Sequence, residues 1–231
     1  MTEWWTYGPR DLLLFSPQTY YRLFELYNLE LWPLQIVALA LGVTVLLLGQ
    51  RGGEAAGRGI ALILALCWLW LAWRFHWLHY ANINPFARYF ALAFILQALL
   101  LLWLGAVRGR LTPLPTSRLQ RAGLGIVAFA LLLFPLLGPL LGRSWTQAEV
   151  FGMAPDPTAL VTLGVLLIAG VRPAWSLMPI PVAWCLISGT TLWAMDAPEY
   201  ALVPMLALLA VGLAAAGTKA ASGRPDKTSR F

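Results

Sequence analysis

The sequence predicts an all-α, polytopic membrane protein with about seven transmembrane helices, its N-terminus outside and its C-terminus cytoplasmic. Three observations predict it. Hydrophobic residues make up 60% of the 231 and charged residues 11%, whereas a soluble domain carries roughly a quarter charged. Apolar runs long enough to cross a bilayer recur along the chain. The remaining charges are sorted by sign between alternate loops.

Residues 1–30 form an extracytoplasmic N-terminal segment in this reading. The basic n-region of a cleavable signal is missing, since Arg10 and Arg22 face Glu3, Asp11, Glu25 and Glu30. Ser16 followed by Pro17 has the pattern of an N-cap with proline at the first helical position. Tyr20, Phe24, Tyr27 and Leu31 then repeat at helical spacing. This predicts an interfacial amphipathic helix anchored by its rings, with a lid over a pocket as the alternative.

The transmembrane domain spans 31–216, with helices expected at 31–49, 59–80, 85–107, 122–141, 157–171, 177–195 and 197–216. The tail 217–231 is polar and expected to be disordered. Loops 1–2, 3–4 and 5–6 share a side with the tail. That side holds Arg51, Arg58, Arg108, Arg110, Arg118, Arg121, Arg172, Lys219, Arg224, Lys227 and Arg230, but only Glu54 and Asp226 among the acids. Positively charged loops stay in the cytoplasm, which sets the orientation.

Pro135 and Pro139 should kink the fourth helix. The fifth, at about 15 residues and about 22 Å, falls short of a hydrocarbon core of about 30 Å. Its start, Asp156-Pro157, is therefore expected below the surface. Asp196-Ala197-Pro198-Glu199 has capping-box spacing at the seventh. Small residues Ala210, Ala214, Gly212 and Ala216 would admit a neighbouring helix, a route to an oligomer or membrane-protein partner. Helices 1–3 and 5–7 share an orientation, a weak three-one-three topology used by some small transporters.

The stretch from Trp68 to Arg88 holds both histidines, His76 and His79, at i and i+3 on one helical face. Asn84, Arg88 and Asp156 fall at similar depth, and Gln97 lies near mid-bilayer. The candidate ligand-binding residues are His76, Asn84, Arg88, Gln97 and Asp156. Asn84 and Asp156 each precede a proline that opens a helix, so both also read as N-caps. Arg88 also reads as a snorkelling side chain. His76, His79 and Asp156 are weak candidates for a divalent or copper ion, with Met153 and Met195 as soft donors. Cys67 and Cys185, inside apolar runs, read as packing residues.

The sequence has no phosphate-binding glycine loop and no nucleophile motif. No acid or base lies deep in a helix, which argues against a conventional proton-coupled pump. Both histidines lie on one helix, which excludes the usual two-helix bis-histidine haem. Anionic lipid accounts for the basic loops without nucleic acid.

Three landmarks carry a resemblance: WWTYGPRDLLLFSPQTYYRLFELYN-x-x-x-WPLQ, HW-x-x-x-x-x-INP and FGMAPDPT. With them the chain, over about 4–216, resembles an uncharacterised bacterial family of integral membrane proteins classed as a domain of unknown function. The resemblance matches His76 to the family's histidine before the INP corner. It places Asp156 where that family often has cysteine, which leaves a carboxylate in place of a soft ligand. It implies a fold and a location, and no activity.

The leading functional expectation is a membrane protein that binds or transports a small solute or cation through an outward-facing polar pocket. The alternative is a non-enzymatic structural or assembly subunit. An enzyme ranks third, because no nucleophile–base pair is visible.

Overall fold

The computed structural model describes residues 13–113, 117–170 and 175–222. The tryptophans at 4 and 5, Arg172 and the tail beyond 222 lie outside these residues. Among the described residues the chain is helical throughout, without strands.

Helix α1 spans Pro17–Glu30. Ser16 Oγ accepts the Thr19 N–H at 3.2 Å, so the first turn is capped as the sequence predicts. Tyr20, Leu23, Phe24 and Tyr27 form its buried face. That face packs on the chain itself instead of standing free for lipid. Phe24 and Tyr27 meet Phe75, with ring centroids 5.2 and 5.6 Å apart, and the Tyr27 hydroxyl accepts the Trp70 indole N–H at 3.0 Å. Helix α1 therefore roofs one end of the bundle.

Helix α2 is Leu34–Arg51 and α3 is Glu54–Trp70. Only Gly52 and Gly53 separate them, at φ +74° and +89°, a left-handed conformation that glycine adopts without strain. Helix α3 starts five residues before the expected 59. Glu54 suits the positive end of a helix and pairs with Arg58 one turn on. Helix α3 widens into a π-helical stretch, Leu71–His79, and closes in a tight turn at Tyr80–Asn82.

Helix α4 is Ala87–Leu100, continued by a second π-helical stretch, Leu101–Val107. Helix α5, Arg118–Ala128, is capped by Ser117 and runs through a third, Phe129–Leu133, into α6, Phe134–Leu140. The third stretch ends just before Pro135. Proline has no N–H to give the preceding turn, which accounts for the irregularity there. Helices α7, α8 and α9 are Pro155–Ile168, Pro179–Ala194 and Leu202–Ser222.

The start of α9 corrects an expectation. The capping box at Asp196 and Glu199 does not form. Asp196 sits at φ +56°, and the helix begins only at Leu202, because Glu199 turns to Arg143. At its other end α9 runs past 216 into the stretch expected to be disordered.

Five helical stretches are long and apolar enough to cross a membrane: Leu34–Arg51, Glu54–Asn82, Ala87–Val107, Arg118–Leu140 and Leu202–Lys219. They point to a membrane protein. Their outward faces carry Ile36, Val43, Leu92, Leu99, Leu132 and Leu208, all exposed. A water-soluble surface does not tolerate so much contiguous apolar area. Helices α7 and α8 are apolar but shorter, with 14 and 16 residues.

Helix α7 is the axis of the fold. All 14 of its residues are buried, and α3, α5, α8 and α9 pack around it. Helix α5 comes close to α7. A Cβ built on Gly164 would lie 2.8 Å from the Gly123 carbonyl oxygen and 2.8 Å from Val127 Cγ2, and one on Gly123 would overlap the Gly164 carbonyl oxygen. The backbones touch because both positions lack side chains, the device by which apolar helices pack in the absence of a hydrophobic driving force.

Candidate functional site

The site is built at the α1 end of α7. The segment before that helix folds inward instead of looping over the surface, and residues 150–154 are all buried. Their polar backbone groups therefore need partners. The Val150 carbonyl accepts the Met153 and Ala154 N–H groups at 3.0 and 2.8 Å. The Gly152 N–H donates to Thr158 Oγ1, which donates to the Ala154 carbonyl, both at 2.8 Å. One turn on, Thr162 Oγ1 donates to the Thr158 carbonyl at 2.8 Å and accepts the Trp68 indole N–H at 2.9 Å. These bonds hold the sequence FGMAPDPT as a single rigid unit.

Asp156 is presented by this unit. Proline at 155 and 157 starts the helix without wasting a backbone donor. The Asp156 side chain is not the N-cap the sequence suggested, because the helix already begins at Pro155. Its carboxylate turns to α8 instead. Oδ1 accepts the Trp184 indole N–H at 2.7 Å and Oδ2 accepts the Ser188 hydroxyl at 2.6 Å. Trp184 and Ser188 are one turn apart, so one face of α8 delivers both donors.

On the other side of Asp156 a cavity of about 10 Å³ is lined by Arg143, Gln147, Glu149, Glu199 and apolar residues of α6, α8 and α9. That is room for about one water-sized occupant. Arg143 is the hub. Its guanidinium lies 2.8 Å from Glu199, 3.8 Å from Glu149 and 4.5 Å from the centre of the Tyr21 ring on α1. Glu199 Oε2 and two nitrogens of Arg143 have no hydrogen-bond partner among the described residues. Burial pushes the Glu149 carboxyl up, and the nearby Asp156 adds to the rise while Arg143 opposes it. Two carboxylates thus face one guanidinium, and a third, Asp156, lines the same cavity.

Helix α1 closes the site from above. Asn28 Nδ2 donates to the Thr146 and Ala148 carbonyls at 2.8 and 2.9 Å, strapping α1 to the segment that carries Arg143 and Glu149.

His76 is buried among Phe75, Tyr80, Phe90, Phe94 and Trp184. It shares Trp184 with Asp156: its ring stands edge-on at 4.9 Å from the indole whose N–H the aspartate holds. The structure therefore brings His76 and Asp156 to one tryptophan. It does not bring the other candidates there.

His79 departs from the expected shared face. The π-helical stretch has more than the α-helical number of residues per turn, so i and i+3 no longer align. His79 instead bonds Glu30 through Nε2 at 2.8 Å and the Arg74 carbonyl through Nδ1 at 2.6 Å. Arg88 is exposed, its guanidinium 5.6 Å from the ring centre of Trp77. Asn84 Oδ1 accepts the Phe86 N–H at 2.9 Å and shapes the corner. Gln97 is buried elsewhere, donating to the Leu177 carbonyl at 3.1 Å. Met153 and Met195 are buried. Among the described residues, no group of three or more histidine, cysteine, aspartate and glutamate side chains could hold a metal ion. The trio His76, His79 and Asp156 is not assembled.

Arg143, Glu149 and Trp184 were not singled out by the sequence. One signal was available: Arg143 is one of few basic residues on the side depleted of them.

An all-helical protein with five stretches fit to cross a membrane, and a buried ionic site at one end, is the class the fold defines. The chain belongs to a family of unknown function, DUF6064, whose profile matches residues 17–223. No curated protein and no solved structure matches it.

Proposed function

We propose that this chain is a multi-pass protein of the bacterial inner membrane that binds a small cation at the α1 end. In this reading α2, α3, α4, the α5–α6 unit, α7, α8 and α9 make seven spans, with α1 outside and the end of α9 in the cytoplasm. The asymmetry of basic residues supports that orientation. The observation that carries the function is the charge imbalance: Glu149, Asp156 and Glu199 against Arg143 alone. Fully ionised, the cluster is two charges negative, and a buried excess of that size calls for protons or a bound cation.

The cavity sets the size of the occupant. It suits hydronium or ammonium, which bring their own donors, better than a hydrated metal ion. Below it the axis is apolar apart from Thr158 and Thr162, so access is from the α1 side, past the helix that roofs the site, and the conclusion is binding. Movement across the membrane would need a second opening through α7.

Calorimetry and thermal melts of the purified protein in nanodiscs test this, with ammonium against sodium at matched ionic strength. Ammonium at about 100 times its Kd should add about 2.7 kcal/mol of stability. Asp156→Asn and Glu149→Gln should remove the effect. Equal responses in the wild type and both variants would refute the site. Cysteine labelling tests the orientation: Ser144→Cys should react from outside intact cells and Ser117→Cys should not. The native Cys67 and Cys185 are buried.

A scaffolding role is the second reading, favoured by Gly212 and Ala216. They stand exposed on α9 while Ala210 and Ala214 are buried within the chain. In that case cation binding would be unaffected by the site variants, and crosslinks from Gly212→Cys would capture a partner helix.

A further inference from the structure

His76 is completely buried, and among the described residues neither ring nitrogen has a hydrogen-bond partner. A neutral imidazole always carries one acceptor nitrogen, and buried acceptors are normally satisfied. Five aromatic rings enclose it, and only two of them bear a polar hydrogen. Tyr80 lies farther off, with ring centroids 5.9 Å apart, against 4.9 Å for Trp184. The Trp184 indole N–H is held by Asp156 Oδ1. The ring of that same tryptophan already touches the imidazole.

Trp184 and Ser188 each take one lone pair of Asp156, and a cation or proton that settles on the carboxylate draws off the negative charge that strengthens both bonds. Ser188 has an alternative, because a helical serine can turn its hydroxyl to the carbonyl one turn back. The indole N–H has no such backbone acceptor. Once released, it has the His76 ring 4.9 Å away, centroid to centroid, and the nitrogens of that ring lack a partner among the described residues.

We infer that Trp184 is a donor switch, its N–H on Asp156 when that carboxylate is free and on His76 when a cation or proton takes it. This rests on the binding reading above and gives His76 a positioning role: it accepts the donor that the ligand evicts. The polar groups around Asp156 come from every side: Tyr20 on α1, Tyr80 at the α3–α4 corner, Arg143 and Glu149 before α7, Cys185 and Ser188 on α8, and Glu199 before α9. The rings against His76 are uncharged.

Nuclear magnetic resonance of ring-labelled ¹⁵N-histidine reads the switch directly. The chain has two histidines, and His79, paired with Glu30, is an internal reference. Asp156→Ala removes the acceptor and needs no ligand. The acceptor nitrogen of His76 should then move to a hydrogen-bonded position while the His79 signals stay. Adding Trp184→Phe, which keeps a ring but has no N–H, should reverse the move. Asp156→Asn keeps the volume with a weaker, neutral acceptor and should move it part-way, which covers an alanine variant that fails to fold. A His76 signal unchanged in both Asp156 variants overturns the switch. Ammonium that binds the wild type without moving His76 also overturns it and leaves the binding reading standing. A His76 shift in the variants without ammonium binding does the reverse.

Discussion

Gly164→Ala places one methyl group at the closest approach of α5 and α7, and its cost follows from the geometry. Ordinary van der Waals contact for a Cβ begins at 3.4 Å, and here it would meet the Gly123 carbonyl oxygen and Val127 Cγ2 at 2.8 Å. The shortfall is 0.6 Å (3.4 − 2.8) on two contacts at once. One of them is backbone, which has no rotamer to escape into. The helices must therefore separate by about half an ångström. A gap of that size forfeits roughly a quarter or more of each dispersion contact along the crossing. Overpacking of this kind costs about 1–3 kcal/mol, or a fall in Tm of about 2–4 °C for each kcal/mol. Melts in one detergent read it. Gly212→Ala is the control, since nothing lies within 4 Å of its added Cβ. It should be neutral, or up to about 1 kcal/mol more stable through helix propensity. Because Gly123→Ala strains the same contact, the double variant should cost less than the sum of the two. A Gly164→Ala protein as stable as the wild type, or a Gly212→Ala protein that loses as much, would refute the close-crossing argument.

Arg143→Met should destabilise by about 3–5 kcal/mol, because it strands buried carboxylates without their counter-ion; adding Glu199→Gln should recover part of that in the same melts. Glu149 has its carboxyl raised by burial above its ordinary 4.5, so the folded chain holds a proton there that the unfolded chain releases. Stability should therefore fall as pH rises from about 4.5 through the raised value, and Glu149→Gln should flatten that slope in melts taken across the range. Thr162→Val leaves the buried Trp68 indole N–H without its acceptor and should cost about 1–3 kcal/mol by the same assay.

The apolar runs were readable because composition and period suffice to find helices in a chain this hydrophobic. What the sequence could not separate is an apolar face that meets lipid from one that meets protein. The stripe of Tyr20, Phe24 and Tyr27 suits either, and only the position of Phe75 and Trp70 decides between them. Helix boundaries failed where a distant charge outbid a local cap, as when Glu199 left Asp196 for Arg143. His76 and Asp156 were recognisable as rare polar residues in apolar surroundings. Their common neighbour Trp184 was not, since eleven other tryptophans look the same in sequence. The face shared by His76 and His79 was misjudged because a π-helical turn leaves no mark in residue spacing.

Helix α7 has consequences for how the protein is made. A segment of 14 residues is too short to be read by itself as a membrane span, and in the finished fold it has no side to offer the lipid. Its place exists only once α5, α8 and α9 surround it. In the seven-span reading proposed above, insertion of residues 155–168 would be a joint event with the helices on either side, and a nascent chain halted before α8 would hold its central segment with nowhere to go. In a mutational scan α7 should likewise show no permissive stripe, whereas α2, with one face outward, should show tolerance rising and falling with the helical turn.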